Sequence, residues 1–104
     1  MDKKEIASLI DEKEKLYKEI DKEESKKIDA KTSEKNAIED LWLNTIWEDI
    51  IDGRATVDAK KAYIGSHVRE YKEDTEHIQL KIDSKKREIA IIDDRLKYLG
   101  GLDD

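Results

Sequence analysis

The chain has 104 residues, of which 46% are charged, 37% hydrophobic and 6% aromatic, and it contains no Pro, Phe or Cys. Ala, Glu, Lys, Leu and Arg together account for 49 residues, close to the share that is typical of long helices and coiled coils. Four Gly and no Pro argue against a turn-rich β-sandwich or barrel. The lack of Cys excludes a disulfide scaffold, a thiol nucleophile and a zinc–thiolate site.

The net charge of −6 is concentrated in the middle of the chain: residues 1–36 carry −1, residues 37–58 carry −5 and residues 59–104 are neutral. A duplex-binding protein needs a basic stripe that displaces counterions from phosphates, and none is evident, so we expect no nucleic-acid partner. The N-terminal residues lack the apolar core of a secretory signal, and no apolar run approaches the roughly 18 residues of a membrane span. We therefore predict a cytoplasmic protein without a membrane span and leave leaderless secretion open.

The first predicted element is a helix over about residues 2–52. Its apolar stripe begins with Ile6, Leu9, Ile10, Leu16, Tyr17 and Ile20, and it almost vanishes over residues 21–36. An alternative is a break at residues 31–33, with Ser33 as a new N-cap, which would give three helices in all. No Gly or Pro enforces that break, so a continuous helix is favoured.

Residues 37–51 are the most apolar part of the chain. As a helix, this segment would be apolar on both sides, and a two-helix hairpin buries only one of them. One tryptophan can pack in the hairpin core, whereas the second has no evident partner in the same chain. We predict an interaction surface here, composed of Trp42, Leu43, Ile46, Trp47, Ile50 and Ile51 with Glu48 and Asp49 in an acidic rim. Such a surface favours a basic protein partner; the alternative is that both tryptophans fill a dimer core or a local three-helix core.

The Asp52–Gly53 pair predicts the end of the first helix, and residues 52–57 form the predicted turn. The second helix is expected over about residues 58–99. Thr56 or Asp58 can cap its start with a side-chain oxygen. The Gly100–Gly101 pair that follows is suited to a left-handed C-cap.

The second helix contains the clearest pattern in the chain. Steps of four and three residues connect eleven positions, nine of them apolar: Ile64, Val68, Tyr71, Thr75, Ile78, Ile82, Lys85, Ile89, Ile92, Leu96 and Leu99. This 3.5-residue repeat is typical of a left-handed coiled coil. We refer to these eleven positions as the second-half seam.

Together the elements predict a single all-α domain, a long antiparallel helical hairpin with coiled-coil-like packing. With a turn at residues 52–57, residue i of the first helix faces roughly residue 110 − i of the second. Ile20 is then expected to face Ile89, and Glu24 to form an ion pair with Lys85. A hairpin of this size buries little surface, so we expect it to form a homodimer through the interaction surface, giving a four-helix bundle.

Residues with catalytic or metal-binding chemistry are scarce. Asp74 and His77 have the spacing of the Glu-x-x-His element of di-iron bundles, but they flank the inward positions Thr75 and Ile78 and should be solvated. No Ser has a nearby His with an orienting acid in the sequence. We predict no catalytic, cofactor-binding or metal-binding residues. The expected function is non-enzymatic, that of an adaptor, inhibitor or assembly protein, and a metal-carboxylate bundle enzyme is a further alternative.

Trp47 lies six residues before Gly53, near the middle of the chain. A helical hairpin of this length with a mid-chain Trp and Gly resembles the WXG100 family of secreted helical-hairpin proteins in architecture and length. The motif of that family is Trp-x-Gly at the turn. Its C-terminal Tyr-x-x-x-Asp/Glu motif has no match here, because Leu102 follows Tyr98 and Thr75 follows Tyr71 at that spacing. The resemblance implies an alternative function as an export substrate or helper.

Overall fold

A computed structural model describes residues 3–101 of the chain. These residues form an all-α fold without strands, with helices α1 (Lys3–Asn44), α2 (Val57–His67) and α3 (Arg69–Gly101) and a 3₁₀ turn at Trp47–Asp49. The predicted helical hairpin is confirmed. None of the helices among the described residues has the length and apolarity to span a bilayer. Two compact units can be distinguished: unit 1 combines α1 up to Lys26 with α3 from Ile78 onward, and unit 2 comprises residues 27–77.

Helix α1 ends earlier than predicted, and its predicted start at about residue 2 lies outside the described residues. It continues through residues 31–33, so the continuous helix is confirmed and the alternative break is wrong. However, α1 ends at Asn44 and not near residue 52. Asn44 and the β-branched Thr45 and Ile46 have low helix propensity, and Ile46 adopts an extended conformation with φ −86° and ψ 94°. The predicted end of the first helix at Asp52–Gly53 is therefore wrong. Gly53 lies in the connection to α2, with a φ of 83° that favours glycine.

The predicted second helix is divided into α2 and α3. Helix α2 begins at Val57, and the Thr56 hydroxyl caps it by accepting a hydrogen bond from the Ala59 N–H at 3.1 Å. The C-cap predicted at the Gly100–Gly101 pair is wrong for Gly100, because α3 continues through it to Gly101. Between α2 and α3, Val68 departs from helical geometry with φ −100° and ψ 6°.

The interruption at Val68 follows from side-chain hydrogen bonds in the preceding turn. The Ser66 hydroxyl donates to the Tyr63 carbonyl at 2.8 Å, and Nδ1 of His67 lies 2.9 Å from the same oxygen. Such side chains compete with the backbone for the carbonyl and bend helices. The Tyr71 N–H then bonds the Val68 carbonyl three residues back, at 3.1 Å, which is the tighter 3₁₀ pattern.

The second-half seam faces protein along its whole length, since all eleven of its positions are buried or half-buried. Helix α1 has a matching repeat that the apolar residues alone do not reveal. Eleven of its fourteen buried or half-buried positions recur in steps of three and four, and we call them the seam of α1: Ile6, Leu9, Lys13, Leu16, Ile20, Glu23, Lys27, Ala30, Glu34, Ala37 and Leu41. Four of these eleven residues are charged, and for that reason the apolar pattern of the sequence does not reveal the stripe.

The core of unit 1 is formed by isoleucines from both helices. Ile20 of α1 packs with Ile82 and Ile89 of α3, and Leu16 and Ile78 pack against this cluster. Ile82 is 1% exposed, one of the two most deeply buried large side chains among the described residues. Ile20 and Ile89, which were expected to face each other, both belong to this cluster.

The ion pairs of unit 1 show that α1 and α3 are antiparallel, as predicted, and that the predicted register between them is wrong. The interhelical pairs are Glu5 with Arg95 at 2.7 Å, Glu19 with Lys85 at 2.9 Å, and Lys13 with Asp93. The residue numbers of each pair total between 100 and 106, not 110. The predicted Glu24–Lys85 pair is therefore wrong, and Glu24 is exposed. The predicted register assumed helix ends on either side of residues 52–57, whereas the observed ends at Asn44 and Val57 shift the midpoint toward the N-terminus.

Candidate functional site

Unit 2 contains an aromatic cluster that includes both tryptophans. The ring centroids of Trp42 and Trp47 are 6.0 Å apart with an interplanar angle of 58°. Trp47 meets Tyr63 edge-on at 5.5 Å, and Tyr63 lies 4.0 Å from the ring of His67. The prediction that the second tryptophan lacks a partner in its own chain is therefore wrong. Nζ of Lys60 also lies 5.5 Å from the centre of the Trp47 ring, within the range of a cation–π contact.

The contribution of α2 to this cluster was missed in the sequence. Tyr63 and His67 are four residues apart, so on a helix their rings lie on the same face. That spacing was the available signal. The packing of Trp47 on Tyr63 holds the connection between α1 and α2 in place. Both residues are only half-buried, so part of each ring remains at the surface.

The aliphatic residues beside the aromatic cluster are exposed. The exposed fractions are 82% for Leu43, 63% for Ile46 and 43% for Ile50, and Trp42 is 36% exposed. Val57 is 59% exposed and was not predicted to belong here. We call these five residues the tip surface. Two predicted members are less accessible, because Trp47 and Ile51 are half-buried.

The segment that carries the tip surface also contains acidic side chains, and we call five of them the acidic rim, which includes the predicted Glu48 and Asp49. Glu39, Asp40, Glu48, Asp49 and Asp52 are all exposed. None of these carboxylates forms an ion pair with another described residue; Asp40 accepts a hydrogen bond from the Asn44 amide at 2.6 Å. With one arginine and six acidic residues, the segment 37–58 carries a net charge of −5. The rim is thus available to pair with cations from elsewhere.

An open groove of about 530 Å³ lies next to Trp47 in unit 2. Its lining residues are Thr45, Ile46, Trp47, Glu48, Gly53, Ala55 and Lys60. It brings an aromatic ring, an aliphatic side chain, a hydroxyl, a carboxylate and an ammonium group to one open groove.

The charged residues of unit 1 serve its packing. The hydrogen bond between Lys85 and Glu19 raises the pKa of Lys85 and lowers the pKa of Glu19. Glu23 is 9% exposed; its Oε1 accepts a hydrogen bond from Nζ of Lys26 at 3.4 Å, and its Oε2 has no hydrogen-bond partner among the described residues. Glu23 is thus a buried carboxylate at a seam position of α1.

Asp74 and His77 were the residues considered for metal binding. Asp74 and His77 are both exposed, as predicted. Within residues 3–101, no three His, Asp or Glu side chains are grouped so that they could hold a metal ion.

No protein-family model, curated protein or solved structure matches this chain. The resemblance to the WXG100 family remains one of architecture and length. Inferences about function therefore depend on the tip surface, its acidic rim and the helix faces of this chain.

Proposed function

We propose that this protein is a non-enzymatic adaptor or inhibitor that binds a basic amphipathic segment of another protein at its tip surface. The observation that carries the proposal is the exposure of Leu43, Ile46 and Ile50, at 82%, 63% and 43%, within a segment of net charge −5. Covering such aliphatic side chains contributes about 25 cal/mol for each Å² of apolar area removed from water.

The acidic rim supports a basic partner. Carboxylates around an apolar centre attract cations during the approach of a partner, and they penalise an acidic one. The five rim carboxylates lack ion-pair partners among the described residues, so binding of a basic partner breaks no ion pair of this chain at the rim. A segment with Lys or Arg beside a Leu-rich stripe has the complementary chemistry.

The aromatic cluster supports the same function by fixing the position of the surface. Trp47 packs against Tyr63 of α2 and Trp42 of α1, so both helices hold the connection that carries Ile46 and Ile50. A surface that is ordered before binding loses less conformational entropy when a partner docks.

A direct test is titration calorimetry with a synthetic helical peptide of Leu and Lys residues, compared with a Leu/Glu peptide of the same pattern. We expect wild-type protein to bind the first and not the second. Leu43→Glu and Ile46→Glu should each weaken binding roughly tenfold. Both changes add negative charge, so a purely electrostatic contact would strengthen instead.

Ile28→Glu is the matched control, because Ile28 is 64% exposed on α1 and lies outside the tip surface. It should bind like the wild type. The proposal is refuted if wild-type protein ignores the Leu/Lys peptide, or if Leu43→Glu binds it at least as tightly.

The proposal includes a cytoplasmic location and self-association into a homodimer. The alternative, an export substrate or helper of the WXG100 kind, has the support of Trp47 in the connection between the helices of a confirmed hairpin. Fractionation of the producing cells distinguishes the two. Protein found only in the culture supernatant, without proteolytic processing, would favour export over a cytoplasmic adaptor.

A further inference from the structure

The side of α3 opposite its seam residues is partly apolar, and one member of that side, Ile91, also lines an open groove of about 420 Å³ that Lys15 and Leu16 of α1 border. Each residue two positions after a seam residue lies about 200° around the helix from it. For α3 in unit 1 these residues form an outer face, composed of Leu80, Ser84, Arg87, Ile91, Asp94 and Tyr98, and all six are exposed. The exposed fractions of its three large apolar side chains are 65% for Leu80, 68% for Ile91 and 60% for Tyr98.

The equivalent face of α1 shows that this apolar character is not required by the hairpin. Two positions after the seam residues of α1 in unit 1 lie Ser8, Asp11, Lys15, Lys18, Lys22 and Ser25, and all of them are polar and exposed. One helix of the pair therefore has a fully solvated back, whereas the other places three large apolar side chains there.

We propose that a second copy of this chain covers the outer face of α3. That face contains one cation, Arg87, and one anion, Asp94, so it does not repel its own copy. The tip surface would repel its own copy, because contact between two copies there brings together two segments of charge −5. The proposed dimer interface therefore lies on α3 and not in the tryptophan region predicted from the sequence. The tip surface then remains accessible to another protein.

The arrangement of charges indicates an antiparallel two-fold contact. In a two-fold interface the same patch is used by both copies, so Arg87 of one copy can pair with Asp94 of the other. The axis then passes close to Ile91, which meets its own counterpart. Leu80 and Tyr98 lie about 16 Å and 11 Å from the axis along the helix. Leu80 of one copy therefore falls within side-chain reach of Tyr98 of the other.

Sedimentation velocity over a range of micromolar concentrations tests the interface. The wild type should be a dimer, and Ile91→Glu should be a monomer with unchanged helical circular dichroism. Arg87→Glu and Asp94→Arg should each weaken the dimer roughly tenfold, because each places like charges opposite one another. The double variant Arg87→Glu/Asp94→Arg should restore the dimer.

Lys18→Glu on the outer face of α1 and Leu43→Glu at the tip surface are the controls, and both should remain dimeric. A monomeric wild type, a dimeric Ile91→Glu, or a monomeric Leu43→Glu would overturn the proposal. Failure of the double variant to restore the dimer would overturn the antiparallel two-fold. Because the Leu/Lys peptide assay reads the tip surface alone, failure of this interface is distinguishable from failure of the proposed function.

Discussion

Replacing Glu23 by Leu should stabilise the protein, although it removes a charged residue from a highly charged helix. Glu23 is 9% exposed at a seam position of α1, and its Oε2 has no hydrogen-bond partner among the described residues. A buried polar group left without a partner costs about 1–3 kcal/mol. The interactions that would be lost are the i,i+3 bond from Lys26 at 3.4 Å, worth about 0.2–0.5 kcal/mol, and the electrostatic attraction to Lys85. Leu and Glu have similar helix propensities.

We therefore expect Glu23→Leu to raise the free energy of unfolding by about 1–3 kcal/mol, which for a chain of this size raises Tm by roughly 4–8 °C per kcal/mol. Urea denaturation followed by circular dichroism measures the change, with protein concentration held fixed because association contributes to stability. Glu24→Leu is the control, since Glu24 is exposed and its replacement should change stability by less than about 0.5 kcal/mol. If Glu23→Leu instead destabilises the protein by 1 kcal/mol or more, the carboxylate makes interactions that its burial and contacts do not reveal.

Three further predictions concern the core, a helix cap and the pH dependence of stability. Ile82→Ala should cost about 2–5 kcal/mol in the same denaturation experiment, because it empties the most buried position of unit 1; a loss below 1 kcal/mol would mean that the core is not packed as described. Thr56→Ala should cost about 1 kcal/mol by removing the α2 cap, whereas Thr56→Ser should retain it. The pKa of Glu19 is lowered by Lys85, so its stabilising effect is present above the ordinary glutamate pKa and is lost as the pH falls through the lowered value. The pKa of Lys85 is raised, so its effect is present below the ordinary lysine pKa and is lost as the pH rises through the raised value. Glu19→Gln should flatten both limbs of a stability–pH profile, and identical wild-type and variant profiles would show that the pair contributes nothing.

The fold was predictable where apolar residues mark the buried positions. The second-half seam has nine apolar residues among eleven, and every position is buried or half-buried. In α1 the same repeat passes through charged residues such as Glu23 and Lys27, so hydrophobic periodicity cannot detect it. Burial there is imposed by the partner helix, which is a tertiary effect.

The helix ends and the site were harder to predict, because they depend on local competition between hydrogen bonds and on packing between elements. Residues 45–51 are apolar enough to suggest a helix, but their β-branched start and the packing of Trp47 on Tyr63 favour a 3₁₀ turn. The break at Val68 depends on two side chains that bond one carbonyl. The apolar, acid-rimmed character of the tip was apparent in the sequence; the aliphatic residues, more than the indoles, form its exposed part.

The charged positions on the buried side of α1 have a consequence for biosynthesis. Helix α1 is synthesised before α3, so its buried side is exposed until the isoleucine-rich helix that covers it has been made. Four charged residues interrupt the apolar seam of α1: Lys13, Glu23, Lys27 and Glu34. Short apolar stretches separated by charged residues resist aggregation. Helix α3, whose seam is more apolar, is translated after α1 and can pack against it as it emerges.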